Sequence, residues 1–459
     1  MSFFGWLTSL GSGKRKRSSS ERLSEKAFIP SGGEATTPQI LLSPLANDNG
    51  GKITKRLGKL LTGIPGVEVF SLKKILKLSD GPEDLLSKLI AAAEDGRAWM
   101  KEEGADILVW GEVAKDGERL TLRLLPAPGV GPGGDMESSG IGETLEVPTN
   151  FGADMEPLVA AVALATFGPI FKGVRQRLGE TLGAYLEQVA HLADSLPVGI
   201  TDPQEVSIFN SIGNAYVAYS HLGGGVTQLE HAAKAYKKAE AKVSKDGQPL
   251  AWASIQNHLA AVLQAQGQMK KDPGPLRSAA LVYSNVASTL SAQTHANEWC
   301  SAQVHLGRVL YILAGVEGKP EYLHTAISAY EAALRVCDQV SAPTRWAEVT
   351  NQYGVVLLAM GEEIGGAQAL EKAVAKFRDA IKVHKRETSP VLWAQTANNL
   401  GAACFALAKR NSQNALLREA SDCFAGATEI YRQQGVPKQV EVIEKNLYRV
   451  KRLLISRGG

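Results

Sequence analysis

The stretch PVLWAQTANNLGAACFAL, residues 390–407, decides the fold, because its pattern recurs along the chain. Counting back from Trp393 in steps of 47 residues reaches three more tryptophans and then Glu205. The tryptophans are Trp346, Trp299 and Trp252. Eight residues after each of these five positions stands a small residue, namely Gly213, Ala260, Gly307, Gly354 or Gly401. A period that holds through five units predicts an array of structural repeats.

Each unit has a second periodic segment, in which Leu is followed by Ala and then by an aromatic ring. The rings are Tyr236, Tyr283, Tyr330, Phe377 and Phe424. Apolar spacings of three, four and seven predict two helices per unit, paired as a hairpin. We expect the small residue of the first helix to meet the Ala of the second helix, with the ring filling the space toward the neighbouring repeat. Segments such as QMKKDPGP, residues 268–275, are predicted to be loops between the paired helices.

The first helix of each unit carries Leu-Gly/Ala, and the second carries Ala-x-x-x-Tyr/Phe. Over residues 205–433 these two segments together resemble the tetratricopeptide repeat. The resemblance implies a helical solenoid that binds a protein or peptide in its concave groove. The unit is about 13 residues longer than the usual one of about 34, and we expect the extra residues to be divided between the two loops. Pro249, Pro343 and Pro390, each three residues before a Trp, predict helix starts, because an N–H is not needed there.

The segments on either side of the repeats are predicted to close the array. Residues 434–459 place Leu447 at a repeat position with no second helix after it, which predicts a capping helix with a polar outer surface. Residues 151–204 are linking helices or a degenerate first repeat. Their apolar run at 157–171 is shorter than the roughly 20 residues of a membrane helix, so we expect a buried helix there.

The front of the chain, residues 38–150, has the order β-α-β-α-β-β, with a further strand at ETLEVP. A Lys-Asp-Gly turn within ADILVWGEVAKDGERLTLRLLPA predicts a hairpin, and the whole order predicts a small α/β sandwich. With the segments LLSPLANDNG and LTGIPGVEVFSL, it resembles the amino-terminal domain of TolB and its cytosolic relatives, which stands beside tetratricopeptide repeats in bacterial regulators. The resemblance implies a regulatory or partner-binding module.

The composition narrows the class of protein. The 459 residues include 50 Lys and Arg against 47 Asp and Glu, so we expect no nucleic-acid partner. The four cysteines form no CxxC pair, which fits a reducing compartment. In the first 17 residues the positive charge follows the apolar group instead of preceding it, so no secretory signal is predicted. We therefore expect a soluble cytoplasmic protein.

Residues 1–37 are predicted to be a disordered tail, because Ser, Gly and charged residues dominate them. Two interpretations of its start are open, a short membrane-surface anchor or a solvated flexible segment. The anchor would combine an apolar group with a basic run, made of Phe3, Phe4, Trp6, Leu7, Leu10, Lys14, Arg15, Lys16 and Arg17.

No catalytic or metal-binding pattern is complete, and no cofactor is predicted. The string GVGPGG at 129–134 lies between strands, so it has no helix N-terminus for a phosphate. His258 and His305 hold near-equivalent repeat positions, which predicts structural roles. Cys404 and Cys423 lie on paired helices of one repeat, and we interpret them as small buried hydrophobic residues that stand close together.

One polar row is a candidate binding site. Five residues after the Trp position stand Asn210, Asn257, Asn351 and Asn398, and Val304 interrupts the row. In the tetratricopeptide repeat this face of the first helix lines the concave groove. An amide offers a donor and an acceptor, so the row could hydrogen-bond the backbone of an extended peptide. The alternative is that each Asn bonds a neighbouring helix and fixes the packing of repeats.

The sequence thus predicts an α+β fold, in which a small N-terminal α/β sandwich precedes an all-α solenoid. The predicted function is a non-catalytic scaffold or adaptor of a bacterial cytosol that binds a protein or peptide. Two alternatives remain open. The first is a regulatory or sensory subunit that works with a signalling enzyme, and the second is a peripheral membrane organiser tethered by residues 1–17.

Overall fold

The computed structural model describes residues 37–127, 143–167 and 175–458. These residues divide into two compact units between Ala265 and Gln266. The strands are β1 (Gln39–Leu42), β2 (Glu68–Ser71), β3 (Ile107–Val113), β4 (Arg119–Pro126) and β5 (Glu143–Pro148). The helices are α1 (Lys52–Thr62), α2 (Leu85–Glu103), α3 (Glu156–Thr166), α4 (Arg175–Val189), α5 (Asp202–Tyr219), α6 (Thr227–Glu240), α7 (Pro249–Lys270), α8 (Pro273–Thr289), α9 (Ala296–Glu317), α10 (Glu321–Leu334), α11 (Pro343–Glu363), α12 (Ala367–Val383), α13 (Pro390–Asn411), α14 (Asn414–Gln433) and α15 (Pro437–Ser456).

The predicted α+β fold is confirmed, since a small sheet precedes a long run of helices. Two sequence predictions fall outside the described residues. One is the tail, apart from Thr37, with all its candidate membrane-surface residues. The other is the GVGPGG segment at 129–134.

A five-stranded sheet lies in the first unit, with the strand order β2-β1-β3-β4-β5. β1 pairs in parallel with β2 and β3, whereas β4 and β5 continue as antiparallel strands. This confirms the predicted order of strands and helices, including the hairpin and the fifth strand. Helix α2 covers one face of the sheet, where Leu108, Trp110 and Leu125 are buried. A Cβ atom at Gly96 would lie 2.8 Å from the Leu108 side chain, so glycine allows α2 to approach the sheet closely.

Helix α3 accounts for the apolar run at 157–171. Every residue from Leu158 to Thr166 is buried, because α3 packs against α4, α5 and strands β4 and β5. A helix that is apolar on all sides requires such surroundings. The predicted buried helix is confirmed for these residues, while residues 168–174 lie outside the described part. No helix in the described ranges is long and apolar enough to cross a membrane.

Helix α5, the first helix of the repeats, covers the outer edge of strand β5. The Ser207 hydroxyl accepts a hydrogen bond from the Glu146 N–H at 2.8 Å and donates one to the Thr144 carbonyl at 3.4 Å. Backbone groups on a sheet edge would otherwise be open to pairing with another strand. The first hairpin therefore also terminates the sheet.

A buried polar network strengthens this junction. Glu143 accepts hydrogen bonds from Ser211 Oγ at 3.1 Å and from Asn214 Nδ2 at 2.9 Å. Asn214 Oδ1 in turn accepts a hydrogen bond from the Tyr236 hydroxyl at 2.6 Å. Burial raises the pKa of the Glu143 carboxyl, and the hydrogen bonds from Asn214 and Ser211 oppose that rise. One side chain of the sheet is thus tied to both helices of the first hairpin.

Two successive helices correspond to each 47-residue repeat, and the helices pack as the pairs α5/α6, α9/α10, α11/α12 and α13/α14. Helices α7 and α8 correspond to the second repeat. In the last four 47-residue repeats the first helix has 21 or 22 residues, and a connection of two or three residues leads to the second helix. The predicted division of the extra residues between two loops is therefore wrong. Within 268–275 only Lys271 and Asp272 lie outside helices. Lys271 reverses the chain in the left-handed conformation at φ 52°, and Asp272 caps α8 by accepting a bond from the Gly274 N–H at 2.9 Å.

The contact between paired helices also corrects a prediction. The small residue of the first helix faces the aromatic ring of the second helix, whereas we expected it to face the Ala. A Cβ atom at Gly354 would lie 2.7 Å from the Phe377 ring, and one at Gly307 would lie 2.7 Å from the Tyr330 ring. The missing side chain leaves room for a buried ring between the two helices, as close packing requires.

Helix α15 follows the last hairpin, where the sequence predicts a cap. Val440 stands 47 residues after Trp393. Tyr448 therefore stands at the register position where the five repeats have Gly or Ala. The exposed fraction is 66% for Tyr448 and 74% for Ile455, so the surface predicted to be polar also carries two apolar side chains. A ring in place of the small residue leaves no room for a second helix packed as in the other units.

Candidate partner-binding surface

The four asparagines of the predicted row all lie on first helices, but they divide between the two units of the structure. Asn210 on α5 and Asn257 on α7 belong to the first unit, and Asn351 on α11 and Asn398 on α13 belong to the second. In both pairs one Asn has a partner on a neighbouring helix and the other has an unpaired amide oxygen.

In the first unit, Asn210 Oδ1 lies 2.9 Å from Nδ1 of His258, on the next first helix. The His258 ring in turn lies 5.3 Å from the Tyr236 ring, measured between ring centroids. Asn210 therefore fixes the packing of two hairpins. Asn257 is buried, and its Oδ1 atom has no hydrogen-bond donor among the described residues.

In the second unit, Asn351 Oδ1 accepts a hydrogen bond from Asn399 Nδ2 at 3.2 Å. Asn399 holds the same repeat position as His258, so the two bonds are equivalent. The half-buried Asn398 has an Oδ1 atom that no donor of the described chain reaches. Sequence reasoning missed Asn399, although its spacing of 48 residues from Asn351 matches that of His258 from Asn210.

Helix α13 presents a stripe around Asn398 in which every side chain is at least partly exposed to solvent. The spacing of three and four residues places the members on one helix face. They are Gln395, Asn398, Ala402, Phe405 and Lys409. The Lys409 ammonium lies 5.2 Å from the centroid of the Phe405 ring, within the range of a cation–π contact. We call this set the α13 stripe.

Two arginines that stand 47 residues apart tie α13 to α11 and the end of α15 to α13. Arg410 Nη2 donates to the Gly361 carbonyl at 2.8 Å, and Arg457 Nη1 donates to the Ala408 carbonyl at 3.0 Å. These bonds satisfy carbonyls near the C-terminal ends of α11 and α13, where helix carbonyls lack internal partners. They fix α13 between α11 and α15 and so position the α13 stripe.

The histidine and cysteine candidates from the sequence pack against neighbouring side chains or are buried. His305 stacks on Tyr283, with ring centroids 5.1 Å apart and planes 19° apart. Cys404 is buried on α13 and Cys423 is half-buried on α14, and each thiol feels the charge of Glu419. Within the described ranges no group of three His, Cys, Asp or Glu residues could hold a metal ion.

A small polar cleft of about 230 Å³ lies on the sheet of the first unit. Its charged and polar lining residues are Asn47, Glu112, Lys115, Arg119 and Thr121. The cleft stands at the end of the β3–β4 hairpin, and sequence reasoning did not find it, because its residues come together only when the strands pair.

No protein-family model matches the chain, and no curated protein matches it in sequence. A crystal structure of Rap protein complexed with competence and sporulation factor is 12% identical, covers 67% of this chain and 78% of its own, and has a TM-score of 0.31. A computationally designed self-assembling cyclic homooligomer is 13% identical, covers 62% of this chain and 99% of its own, and has a TM-score of 0.15. The tetratricopeptide-like character of the repeats therefore rests on the paired helices and their 47-residue register.

Proposed function

We propose that this protein is a non-catalytic scaffold or adaptor of a bacterial cytosol, which binds a partner protein or peptide on the first helices of its repeats. The observation that carries the proposal is the unpaired Oδ1 atom of Asn257 and of Asn398, each in its own unit. A buried carbonyl oxygen without a donor costs about 1–3 kcal/mol. Both oxygens are shielded from solvent, so a bound peptide would have to displace neighbouring side chains before its backbone N–H removes that cost.

The α13 stripe indicates the chemistry of such a partner. Ala402 has a small side chain, which allows an extended backbone to approach Asn398. Phe405 offers an apolar contact, and Lys409 is exposed and favours a carboxylate. The surface therefore fits an extended segment with an apolar side chain followed by an acidic one.

Site-specific photo-crosslinking tests where the partner binds. A benzophenone side chain placed at Ala402 is expected to capture the partner in cells. The matched control places the same group at Asp422, an exposed residue of the second helix α14. Capture at Asp422 but not at Ala402 would contradict the proposed surface.

Two asparagine substitutions separate binding from packing. Asn398→Ala is expected to weaken partner binding about tenfold, the effect of about 1.4 kcal/mol, with thermal stability retained. Asn351→Ala removes the hydrogen bond from Asn399, so it should lower the unfolding free energy by about 1 kcal/mol. Unchanged partner affinity in a folded Asn398→Ala protein would remove the role of this amide.

The alternative of a regulatory subunit is favoured by the polar cleft on the sheet and by the resemblance of residues 38–150 to the TolB amino-terminal domain. Cationic Lys115 and Arg119 would favour a small anionic ligand. Ligand-detected NMR with a panel of small anions tests this alternative, with Arg119→Ala as the control. Signals that persist unchanged in Arg119→Ala would place any ligand elsewhere.

The alternative of a membrane tether rests on the sequence of residues 1–17. Co-sedimentation with vesicles that contain anionic lipid is expected to decrease when residues 2–17 are deleted. Equal binding of the full and the shortened chain would exclude the tether.

A further inference from the structure

The sheet of the first unit has two edges, and the described residues close only one of them. At the β5 edge the Ser207 hydroxyl bonds to the backbone of β5. The opposite edge is β2, which pairs with β1 alone. Glu68, Phe70 and Ser71, three of the four residues of β2, are exposed to solvent. Backbone groups on an open edge are a template for pairing with a further strand.

The hydrogen bonds to β1 show which backbone groups of β2 point outward. The N–H of Glu68 donates to the Pro38 carbonyl at 2.9 Å, and the N–H of Leu72 donates to a carbonyl of β1 at 2.8 Å. Successive residues of a strand direct their backbone groups to opposite sides. Val69 and Ser71 therefore direct their N–H and C=O groups away from β1, toward the open edge.

The most apolar side chain of this edge is Phe70. It is the register partner of Leu41 on β1, so the two side chains share the face of the sheet that α2 covers. Leu41 is 1% exposed, whereas Phe70 is 45% exposed. An aromatic ring thus stands where the buried layer under α2 meets the solvent.

The charge of the edge changes sign along the strand. Glu68 begins β2, and Lys73 and Lys74 follow its end, all three exposed. A second copy of the strand that lay parallel and in register would place like charges together, which is unfavourable. An antiparallel copy places the acidic start of each strand near the basic end of the other. The edge is therefore complementary to itself in one direction only.

We propose that the β2 edge is the interface of a homodimer, in which β2 pairs antiparallel with β2 of a second copy about a twofold axis at Phe70. In this register Val69 faces the partner's Ser71, and each such pair exchanges two backbone hydrogen bonds. Phe70 faces the partner's Phe70 in the closer pair that shares no hydrogen bonds. The two five-stranded sheets then form one continuous sheet.

The axis lies at Phe70 because the neighbouring registers lose hydrogen bonds. An axis at Val69 would pair Ser71 with the partner's Val67, but the Val67 N–H already donates to the Ile64 carbonyl at 3.4 Å. An axis at Ser71 would pair Val69 with the partner's Lys73, where the chain bends away from the strand. Only the axis at Phe70 uses all the outward groups of Val69 and Ser71.

Sedimentation velocity with charged variants tests the interface. The full chain should change from monomer to dimer between about 5 and 500 µM, a range suited to a small, transient interface. Phe70→Lys and Phe70→Glu should each raise the dimer dissociation constant at least about tenfold, since like charges then face each other across the axis. An equimolar mixture of the two variants should restore the dimer, because Lys then faces Glu.

The matched control is Leu250→Lys, since Leu250 is 44% exposed and lies outside the sheet. It should leave the dissociation constant unchanged. Circular dichroism verifies that each variant is folded. A full chain that stays monomeric over this range would overturn the proposal, as would a mixture no more dimeric than its components or an equal effect of Leu250→Lys.

Disulfide cross-linking tests the register without a charge change. In Phe70→Cys the two new thiols face each other, whereas in Glu68→Cys they stand four residues apart along the strands, about 13 Å, beyond the reach of a disulfide. Mild oxidation should therefore cross-link Phe70→Cys at least about tenfold faster than Glu68→Cys, with the wild type and its four cysteines as the background. Equal rates, or a Phe70→Cys chain that cross-links in cell extract to a different protein instead of to itself, would assign the edge to another partner and overturn the homodimer.

Discussion

Replacing the glycines that face buried rings tests how the paired helices pack. In Gly354→Ala the new methyl carbon would lie 2.7 Å from Phe377 Cε1, and the Phe377 ring is fully buried, so one of the two helices must shift. Overpacking of this kind costs typically about 1–3 kcal/mol. Alanine is favoured over glycine in a helix by about 1 kcal/mol. The expected net loss of unfolding free energy is therefore up to about 2 kcal/mol.

The equivalent positions form a graded series within one molecule. The distance from the added Cβ to the ring is 2.4 Å at Gly213, 2.7 Å at Gly307 and 3.1 Å at Gly401. At Gly401 a shift of a few tenths of an ångström relieves the contact, so the helix preference of alanine dominates and the change should be neutral or stabilising by up to about 1 kcal/mol. Ala260 holds the same register position in the second 47-residue repeat, so this repeat already has a methyl group at that position.

Urea unfolding of each single variant, followed by circular dichroism, measures the series. Because repeat arrays can unfold in parts, amide hydrogen exchange of the affected hairpin supplies the local value. Adding Phe377→Leu to Gly354→Ala should recover part of the loss, since the smaller side chain leaves room for the methyl group. A Gly401→Ala variant that loses as much stability as Gly213→Ala would refute the reasoning.

Two further predictions concern buried polar groups. His384 is buried with its Nδ1 atom 2.8 Å from Thr396 Oγ1, and burial lowers its pKa; the unfolded chain therefore binds a proton first, so stability should fall as the pH drops below about 6.5. Urea midpoints at pH 7.5 and 5.5 should show a smaller difference for His384→Gln than for the wild type, and an equal difference would contradict the assignment. The Tyr353 hydroxyl donates to Glu331 Oε1 at 2.7 Å, so Tyr353→Phe should lose about 1 kcal/mol. The exposed Tyr448→Phe is its control, with an expected change within about 0.5 kcal/mol, and equal losses in the two variants would count against the hydrogen bond.

Most of the helical architecture was predictable from the 47-residue register. Apolar spacing identifies the buried side of a helix without knowledge of its neighbours, because side chains three and four residues apart share one face. Pro249, Pro343 and Pro390 do begin helices α7, α11 and α13. The succession of strands and helices along the front module was also predictable, since alternation and the Lys-Asp-Gly turn are local signals.

The turns were not predictable at the same level. Lys271, Gly318 and Ser412 each adopt a positive φ at the end of a first helix, and that one residue reverses the chain. Lys271 and Ser412 carry no glycine-like signal, so the sequence at 268–275 reads as a longer loop than it is. The energy that holds such residues in the left-handed conformation comes from the packing of the two helices, which no local pattern shows.

The candidate site was predicted in outline only. The sequence identified the row of asparagines, but the roles of its members depend on side chains of the next repeat. Asn210 and Asn351 meet His258 and Asn399, whereas Asn257 and Asn398 keep an unpaired oxygen. Equivalent positions in a repeat thus differ in hydrogen bonding because their neighbours differ.

The sequence by itself determined the repeat, the two helices of each repeat and the succession of strands along the chain, because all three depend on periodicity along the chain. The tertiary structure alone decided that the small residue of a first helix faces a buried ring, and which amide oxygen remains without a donor. The glycine and its ring are 23 residues apart in the chain, and the bonded side chains of Asn210 with His258 and of Asn351 with Asn399 are 48 residues apart. Their contacts follow from how helices pack side by side, where the shape and charge of both partners determine the energy.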